Sequence, residues 1–234
     1  MKYVIGIDEV GRAARKRASL ARSRFVIGLD EVGRGSLAGA VVVCAVCIPK
    51  NLKLVTNNSQ LGKLRDSKKL TRAKREAWYE YLRFHSRVRY AFARVHPATI
   101  DRINISRAAN LAALRAFRRL CGQCALFGKC RVFLDGGLYL GNKKMSVEDY
   151  GAQTIVRGDE RITAVKIASI IAKVTRDRSM KKLSRKFPDF GFEIHNGYGT
   201  ERHIAAVKKF GPSQLHRLTF LKKYLKIREL VVRK

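Results

Sequence analysis

The chain has 234 residues, 46% of them hydrophobic, and its 50 lysines and arginines against 18 aspartates and glutamates give a formal net charge of +32. This length allows one large or two small domains with a packed core. The sequence contains no run of 18 apolar residues and no signal-peptide pattern, which argues against a membrane protein and predicts a cytoplasmic one. The basic excess favours a nucleic-acid partner, but it fits a ribosomal or chromatin binder, or a solvated surface, as well as an enzyme.

The first 22 residues contain a near repeat of a later segment. YVIGIDEVGR, over residues 3–12, is followed by basic residues, whereas FVIGLDEVGR, over residues 25–34, is followed by a glycine-containing turn and an apolar run. Only the second copy can continue as a buried strand, so we interpret residues 1–22 as an N-terminal extension in which Asp8 and Glu9 are not catalytic. A mobile arm, an added edge strand and a gene-start artefact all remain open.

The stretch FVIGLDEVGRGSLAGAVVV, from Phe25 to Val43, predicts a buried strand that ends at Asp30 and Glu31, a tight turn, and a second strand. Two carboxylates at the end of a strand repel each other unless a cation or proton compensates them, so we expect a divalent metal there. The N–H groups around Gly33 and Gly35 suit a sugar hydroxyl or a phosphate. An ordinary acidic pair on a surface turn is the alternative.

Predicted strands and helices alternate along the rest of the chain. Strands are predicted over 38–49, 88–95, 131–135 and 154–157, helices over 71–86, 103–120, 163–187 and 200–210, and a basic amphipathic tail over 221–234. Helical spacing places Trp78 in the core rather than on a nucleic-acid surface. The alternation predicts an α/β fold around a mixed sheet, and no Pro-, Gly- or Ser-rich linker divides it.

Five cysteines include two Cys-x-x-Cys pairs, which raises the possibility of zinc. Cys44 and Cys47 lie in a strand, where residues three apart face opposite sides of the sheet. Cys121, Cys124 and Cys130 could converge after a helix, but a fourth ligand is not evident. We therefore favour reduced thiols over structural zinc.

Asp135 and Asp159 also stand at or just past the ends of predicted strands, and they complete a possible set of four acids with Asp30 and Glu31. Oxygen ligands favour Mg²⁺ or Mn²⁺. Two such ions about 3.5 to 4 Å apart can activate water and neutralise charge during phosphodiester hydrolysis. Asp149 and Asp177 compete with Asp159, although an ion pair with its flanking arginines is the preferred interpretation for Asp177.

Segments that resemble motifs of the type 2 ribonucleases H, the ribonuclease HII family, recur in order from about Arg24 to Phe220. They are DEVGRG from Asp30, DSKKLT from Asp66, FLDGG from Phe133, IVRGDE from Ile155 with ASIIAKVTRDR from Ala168, and HNGYGT from His195. The resemblance implies a ribonuclease H-like fold over residues 23–220 with a helical C-terminal part. It also implies a monomeric endonuclease that cuts the RNA strand of RNA–DNA hybrids and incises duplex DNA at embedded ribonucleotides, leaving 3′-hydroxyl and 5′-phosphate ends.

The same resemblance implies a role for each motif residue. The catalytic and metal-binding acids are Asp30, Glu31, Asp135 and Asp159; Gly33, Arg34 and Gly35 read the 2′-hydroxyl; Tyr198 packs on the deoxyribose beyond it; Lys68, Lys69 and Lys173 contact phosphates; and His195 orients the Tyr198 loop or lies near the metals. Ser36, Ala40 and Asn196 depart from the family pattern, where two prolines and a basic residue are expected.

Two other classes of protein remain compatible with the sequence. A non-catalytic basic nucleic-acid-binding protein explains the charge but has no need of carboxylates at successive strand ends. Another metal nuclease of the same fold, such as a junction resolvase or a type 3 ribonuclease H, would share the acids. It would not need Tyr198 together with the Gly-Arg-Gly turn.

Overall fold

A mixed five-stranded sheet forms the centre of the computed structural model, which describes residues 23–54, 61–123, 130–140 and 152–226. Its strands are β1 (Phe25–Val32), β2 (Val41–Pro49), β3 (Arg89–Val95), β4 (Cys130–Asp135) and β5 (Ala152–Ile155), in the order β3-β2-β1-β4-β5. β1 pairs antiparallel with β2 and parallel with β4, and β4 pairs parallel with β5. The predicted α/β class with a mixed central sheet is thereby confirmed.

Helices cover both faces of this sheet. They are α1 (Arg72–Phe84), α2 (Pro97–Ile103), α3 (Ile105–Gln123), α4 (Gly158–Arg161), α5 (Thr163–Lys186), α6 (Phe192–His195), α7 (Glu201–Phe210) and α8 (Leu218–Leu221). Thr200 caps α7, as predicted, by accepting a hydrogen bond from the amide of His203. Within the described ranges, none of the helices is long and apolar enough to cross a membrane.

The segment after β3 differs from the prediction. The sequence predicts that Pro97 ends the strand, and Pro97 also begins α2, since a proline at the first helical position forfeits no intrahelical hydrogen bond. Asn104, with a φ of 66°, then separates α2 from α3, so the predicted helix at 103–120 begins later than expected. At the other side of the sheet, β5 ends at Ile155 rather than residue 157, because Arg157 adopts a φ of 55°.

Two apolar layers enclose the sheet. Ile27 and Leu29 of β1 pack into the layer beneath α3, and the opposite face packs against α1 and α5. Gly28 lies directly under α5, where a Cβ atom would stand 2.3 Å from the carbonyl carbon of Ala164. This close contact packs the first turn of α5 directly against the central strand.

Several side chains take the places that the sequence predicts. Trp78 is buried, and its indole N–H donates to the Leu61 carbonyl at 3.0 Å. Cys44 and Cys47 are buried in opposite layers, which excludes joint metal ligation. Cys124 and Asp149 lie outside the described residues, as do the 1–22 extension and residues 227–234 of the basic tail.

Candidate active site

Acidic side chains from two parallel strands, β1 and β4, meet at the carboxyl ends of these strands. Leu29 of β1 pairs with Leu134 of β4, so the residues that follow them, Asp30 and Asp135, lie side by side where the pairing of these two strands ends, although β1 itself continues to Val32. Asp30, Glu31 and Asp135 each offer a carboxylate oxygen, and these oxygens all lie within 4.8 Å of one another. The segments far apart in sequence therefore converge on one point.

Burial and mutual repulsion shape the electrostatics of this three-acid cluster. The pKa of Asp30 is raised well above its ordinary value, first by burial and then by Glu31. Burial also raises the pKa of Glu31, which Arg34 partly opposes, and burial followed by Asp159 raises that of Asp135. Each carboxylate is harder to ionise than in water, so a cation would relieve the cluster.

One oxygen of Glu31 is an independent sign of such a cation. Glu31 Oε2 is buried and has no hydrogen-bond partner among the described residues. A buried carboxylate oxygen without a partner costs free energy, and a divalent metal held by oxygen ligands would satisfy it. The donor set thus fits Mg²⁺ or Mn²⁺.

Asp159 lies beside this cluster without joining it. The amides of Gly158 and Asp159 donate to Asp135 Oδ1 at 2.8 and 3.5 Å, which places the start of α4 against the end of β4. The Asp159 carboxylate is buried and pairs instead with Lys68, with 3.4 Å between Oδ2 and Nζ. The fourth predicted acid is therefore near the other three but bound to a lysine.

The predicted phosphate-binding lysines all pair with acids. Lys69 lies 2.8 Å from Glu160, and Lys173 lies 2.8 Å from Asp177 one turn along α5. Asp177 thus has the predicted structural ion pair, but its partner is Lys173 and not a flanking arginine. Arg178 instead binds Glu76 and Glu80 on α1.

The turns that carry Arg34 and Tyr198 lie against each other. Arg34 contacts Glu31 at 3.5 Å and the Gly137 carbonyl at 3.1 Å, and the Leu37 amide donates to the Gly197 carbonyl at 2.8 Å. His195 accepts from the Gly197 amide at 3.2 Å and donates to the Phe190 carbonyl at 2.8 Å. These bonds place His195 against the backbone of the Tyr198 turn.

Comparison with known proteins agrees with this geometry. The family model described as Ribonuclease HII matches residues 27–223. The chain belongs to the ribonuclease HII family. It is 41% identical over 186 residues to the ribonuclease HII of Coxiella burnetii (strain Dugway 5J108-111), covering 80% of this chain and 83% of that protein. Ribonuclease HII of Pelagibacter ubique (strain HTCC1062) is 37% identical over 94% of this chain and 96% of its own length.

A solved structure confirms the predicted ribonuclease H-like fold. Bst-RNase HIII in complex with Mn²⁺ superposes with a TM-score of 0.62 at 19% identity, over 90% of this chain and 72% of that one. As a ribonuclease HII family member, the chain is a ribonuclease H, a hydrolase that acts as an endonuclease on RNA–DNA hybrids.

Sequence reasoning missed a hydroxyl that supports this ribonuclease HII site. Ser169 of α5 is buried and hydrogen-bonds to the Asp30 carboxylate, which favours the ionised form of that acid. Its oxygen lies 2.7 Å from that of Ser67, in the DSKKLT segment. Because a carboxylate only accepts, Ser169 donates to Asp30 and Ser67 donates to Ser169. A lone serine on an otherwise apolar helix face was the available signal.

Two buried histidines behind the Tyr198 turn were also missed. His203 Nδ1 donates to the Tyr198 carbonyl at 2.9 Å, and the Ser213 amide donates to His216 Nδ1 at 3.0 Å. The Nε2 atoms of the two rings are 3.1 Å apart, so His216 must donate and His203 must accept. This chain of bonds requires both imidazoles to be neutral.

Proposed function

We propose that this chain is a metal-dependent endonuclease that cuts RNA–DNA hybrids and also incises duplex DNA at embedded ribonucleotides, leaving 3′-hydroxyl and 5′-phosphate ends. The observation that carries the proposal is the cluster of Asp30, Glu31 and Asp135, with the partnerless Glu31 oxygen inside it. The Mn²⁺ in the complex of the structurally similar Bst-RNase HIII supports a Mn²⁺ or Mg²⁺ requirement.

In this proposal the three clustered acids would hold two divalent cations, with Asp159 as a further ligand once it is released from Lys68. Bound metal would supply an activated water and neutralise charge on the cleaved phosphate. Lys68 pairs with Asp159, and its side chain is 80% exposed. It could therefore exchange the Asp159 carboxylate for a phosphate oxygen of the substrate. Lys69 and Lys173 would contact phosphates farther along the strand.

Recognition of the ribonucleotide falls to the two joined turns. Gly33 has a φ of 82°, a conformation that glycine adopts readily, and Gly35 is exposed. Their backbone and Arg34 would contact the 2′-hydroxyl, the group that distinguishes RNA from DNA. Tyr198, held by the Gly197 and His195 contacts, would pack on the following deoxyribose.

Cleavage of a labelled DNA duplex with one ribonucleotide, with and without Mn²⁺, tests the proposal. We expect one incision that requires Mn²⁺, with a 3′-hydroxyl on one product and a 5′-phosphate on the other. Because the +32 charge makes binding sensitive to salt, KM should rise steeply over a salt series while the cut position stays fixed. An all-DNA duplex of the same sequence is the control.

Binding without incision would indicate a non-catalytic binder. Cleavage of long hybrids alone, with the lone ribonucleotide untouched, would indicate another nuclease of this fold. The monomeric state and the cytoplasmic location stay predictions.

A further inference from the structure

Two turns assigned above to substrate recognition pack backbone to backbone. The first turn comprises residues 33–40, and the second comprises residues 195–199. The amides of Leu37 and Ala38 both donate to the Gly197 carbonyl, at 2.8 and 3.2 Å. A Cβ atom on Gly197 would lie 2.6 Å from the Ala38 oxygen. The two turns are therefore too close together for any larger residue at position 197.

Arg176 of α5 lies beneath both turns and is 1% exposed. Its guanidinium donates to the first turn at Ser36 Oγ (2.8 Å), Ala38 O (3.1 Å) and Ala40 O (3.2 Å), and to the second turn at Asn196 O (2.8 Å). Five donors in one rigid plane can fix several acceptors at set angles, which a lysine ammonium cannot do. One side chain thus holds both turns.

The same side chain touches the groups that would meet the substrate. The guanidinium carbon lies 5.4 Å from the centroid of the Tyr198 ring, within cation–π range. A Cβ atom on Gly33 would lie 2.2 Å from Arg176 Nε, so the Gly33 backbone rests directly on the guanidinium. Arg176 therefore contacts Gly33 and Tyr198 at once, while the buried Arg217 also holds the first turn through the Gly33 carbonyl at 2.7 Å.

We propose that Arg176 is a positioning residue for substrate selectivity. It fixes the distance between the Gly33–Gly35 backbone and the Tyr198 ring, and so sets the preference for a single ribonucleotide over a uniform RNA–DNA hybrid. This inference rests on the proposed function. Both substrates offer a 2′-hydroxyl to the first turn, but only the single ribonucleotide is followed by a deoxyribose for Tyr198. A changed distance should therefore impair junction cleavage selectively.

The Arg176→Lys variant tests the positioning role, because it keeps the positive charge and removes the planar set of guanidinium donors. We expect the ratio of kcat/KM for the single-ribonucleotide duplex to that for the hybrid to fall about tenfold or more. Mn²⁺ affinity of the substrate-free protein, measured by calorimetry, should stay unchanged. Arg178→Lys is the matched control: it lies two residues along α5, pairs with Glu76 and Glu80, and should leave the ratio unchanged.

A double-mutant cycle with Tyr198→Ala separates positioning from a general structural role. If Arg176 acts through Tyr198, Arg176→Lys should not lower the ratio further once the ring is gone. Equal losses on both substrates, or the same loss of ratio with and without Tyr198, would overturn the inference.

Ser36→Ala provides a second variant should Arg176→Lys not fold. It removes one acceptor of the guanidinium, and it should lower the ratio in the same direction, by about threefold, the factor that corresponds to a small loss of binding free energy. An unchanged ratio in Ser36→Ala and in any folded Arg176 variant refutes the positioning role. Wild-type protein that cuts neither duplex refutes the proposed function itself, so the two failures are distinguishable.

Discussion

Asp135 Oδ1 accepts a hydrogen bond of 2.8 Å from the amide of Gly158. This bond ties the acid at the end of β4 to the segment after β5, where Arg157 holds a left-handed conformation. The geometry of the acidic cluster is therefore set partly by backbone that follows a different strand. Asp135 and Asp159 have different surroundings: Asp135 lies in the cluster, whereas Asp159 pairs with Lys68.

Asp135→Asn and Asp159→Asn should accordingly differ in their effect on metal binding. We expect Asp135→Asn to weaken Mn²⁺ affinity of the substrate-free protein by more than about 100-fold, since even partners outside the ligand set cost 10 to 100-fold. Asp159→Asn should weaken it less. Calorimetric Mn²⁺ titration checks this, with the exposed Asp189→Asn as control. Equal losses for both variants would contradict it.

The raised pKa values of the cluster predict how stability depends on pH. An acid with a folded pKa above its ordinary value, 3.8 for Asp and 4.5 for Glu, stabilises the fold below that value and loses this contribution as pH rises. Metal-free Asp30→Asn should therefore be more stable than wild type at pH 7. The difference should shrink as pH falls toward 4.

Mn²⁺ should reverse this order. At about 100 times its dissociation constant it would stabilise the wild type by about 2.7 kcal/mol and the variant far less. Thermal unfolding with chelator or with Mn²⁺ measures both effects. A variant that melts below metal-free wild type at pH 7 would contradict the electrostatic argument.

The histidine pair behind the Tyr198 turn predicts a dependence of the opposite sign. Burial lowers the pKa of His203 to about 4, and burial followed by His203 lowers that of His216 to about 3. Their contribution is complete above the ordinary value of 6.5 and is lost as pH falls toward those values, by about 1.4 kcal/mol per unit of separation.

A His203→Asn, His216→Asn double variant tests the histidine pair. Asparagine can replace each Nδ1 hydrogen bond without titrating. The slope of stability between pH 6.5 and 4.5, measured by chemical unfolding, should be shallower in this variant than in wild type. An unaltered slope would show that the pair does not govern acid sensitivity.

Gly28 should tolerate no side chain. A Cβ atom there would stand 2.3 and 2.4 Å from backbone atoms of Ala164 and Val165, so Gly28→Ala must push α5 away from β1. We expect a loss of about 3 kcal/mol in the free energy of unfolding, with weaker Mn²⁺ binding because Asp30 is two residues away. Gly122→Ala, in α3 with open space at its Cβ, should be neutral or stabilising in the same denaturant titration.

Much of the fold follows from local patterns. The apolar runs into Asp30 and Asp135 predicted strands because such runs fill both layers of a core, and the run from Thr163 predicted a long helix. What was missed depends on tertiary contacts. Arg176 lies in the ASIIAKVTRDR segment, but its role could not be predicted, because its burial arises only when the two turns close over it. The pairing of Lys173 with Asp177, by contrast, is an i, i+4 pair within the predicted helix, so its spacing was an available signal.

The central place of β1 in the sheet determines which parts of the protein open locally. β1, which carries Asp30 and Glu31, pairs with β2 along its whole length and with β4 from Phe25 to Leu29, whereas the four-residue β5 is the last strand of the sheet. Amide hydrogens of β1 should exchange with solvent only on global unfolding. Those of β5 should exchange through local opening, which requires less free energy. Transient detachment of β5 from β4 would leave Asp30 and Glu31 in place. The three-acid cluster could then re-form with Asp135 when β5 pairs with β4 again.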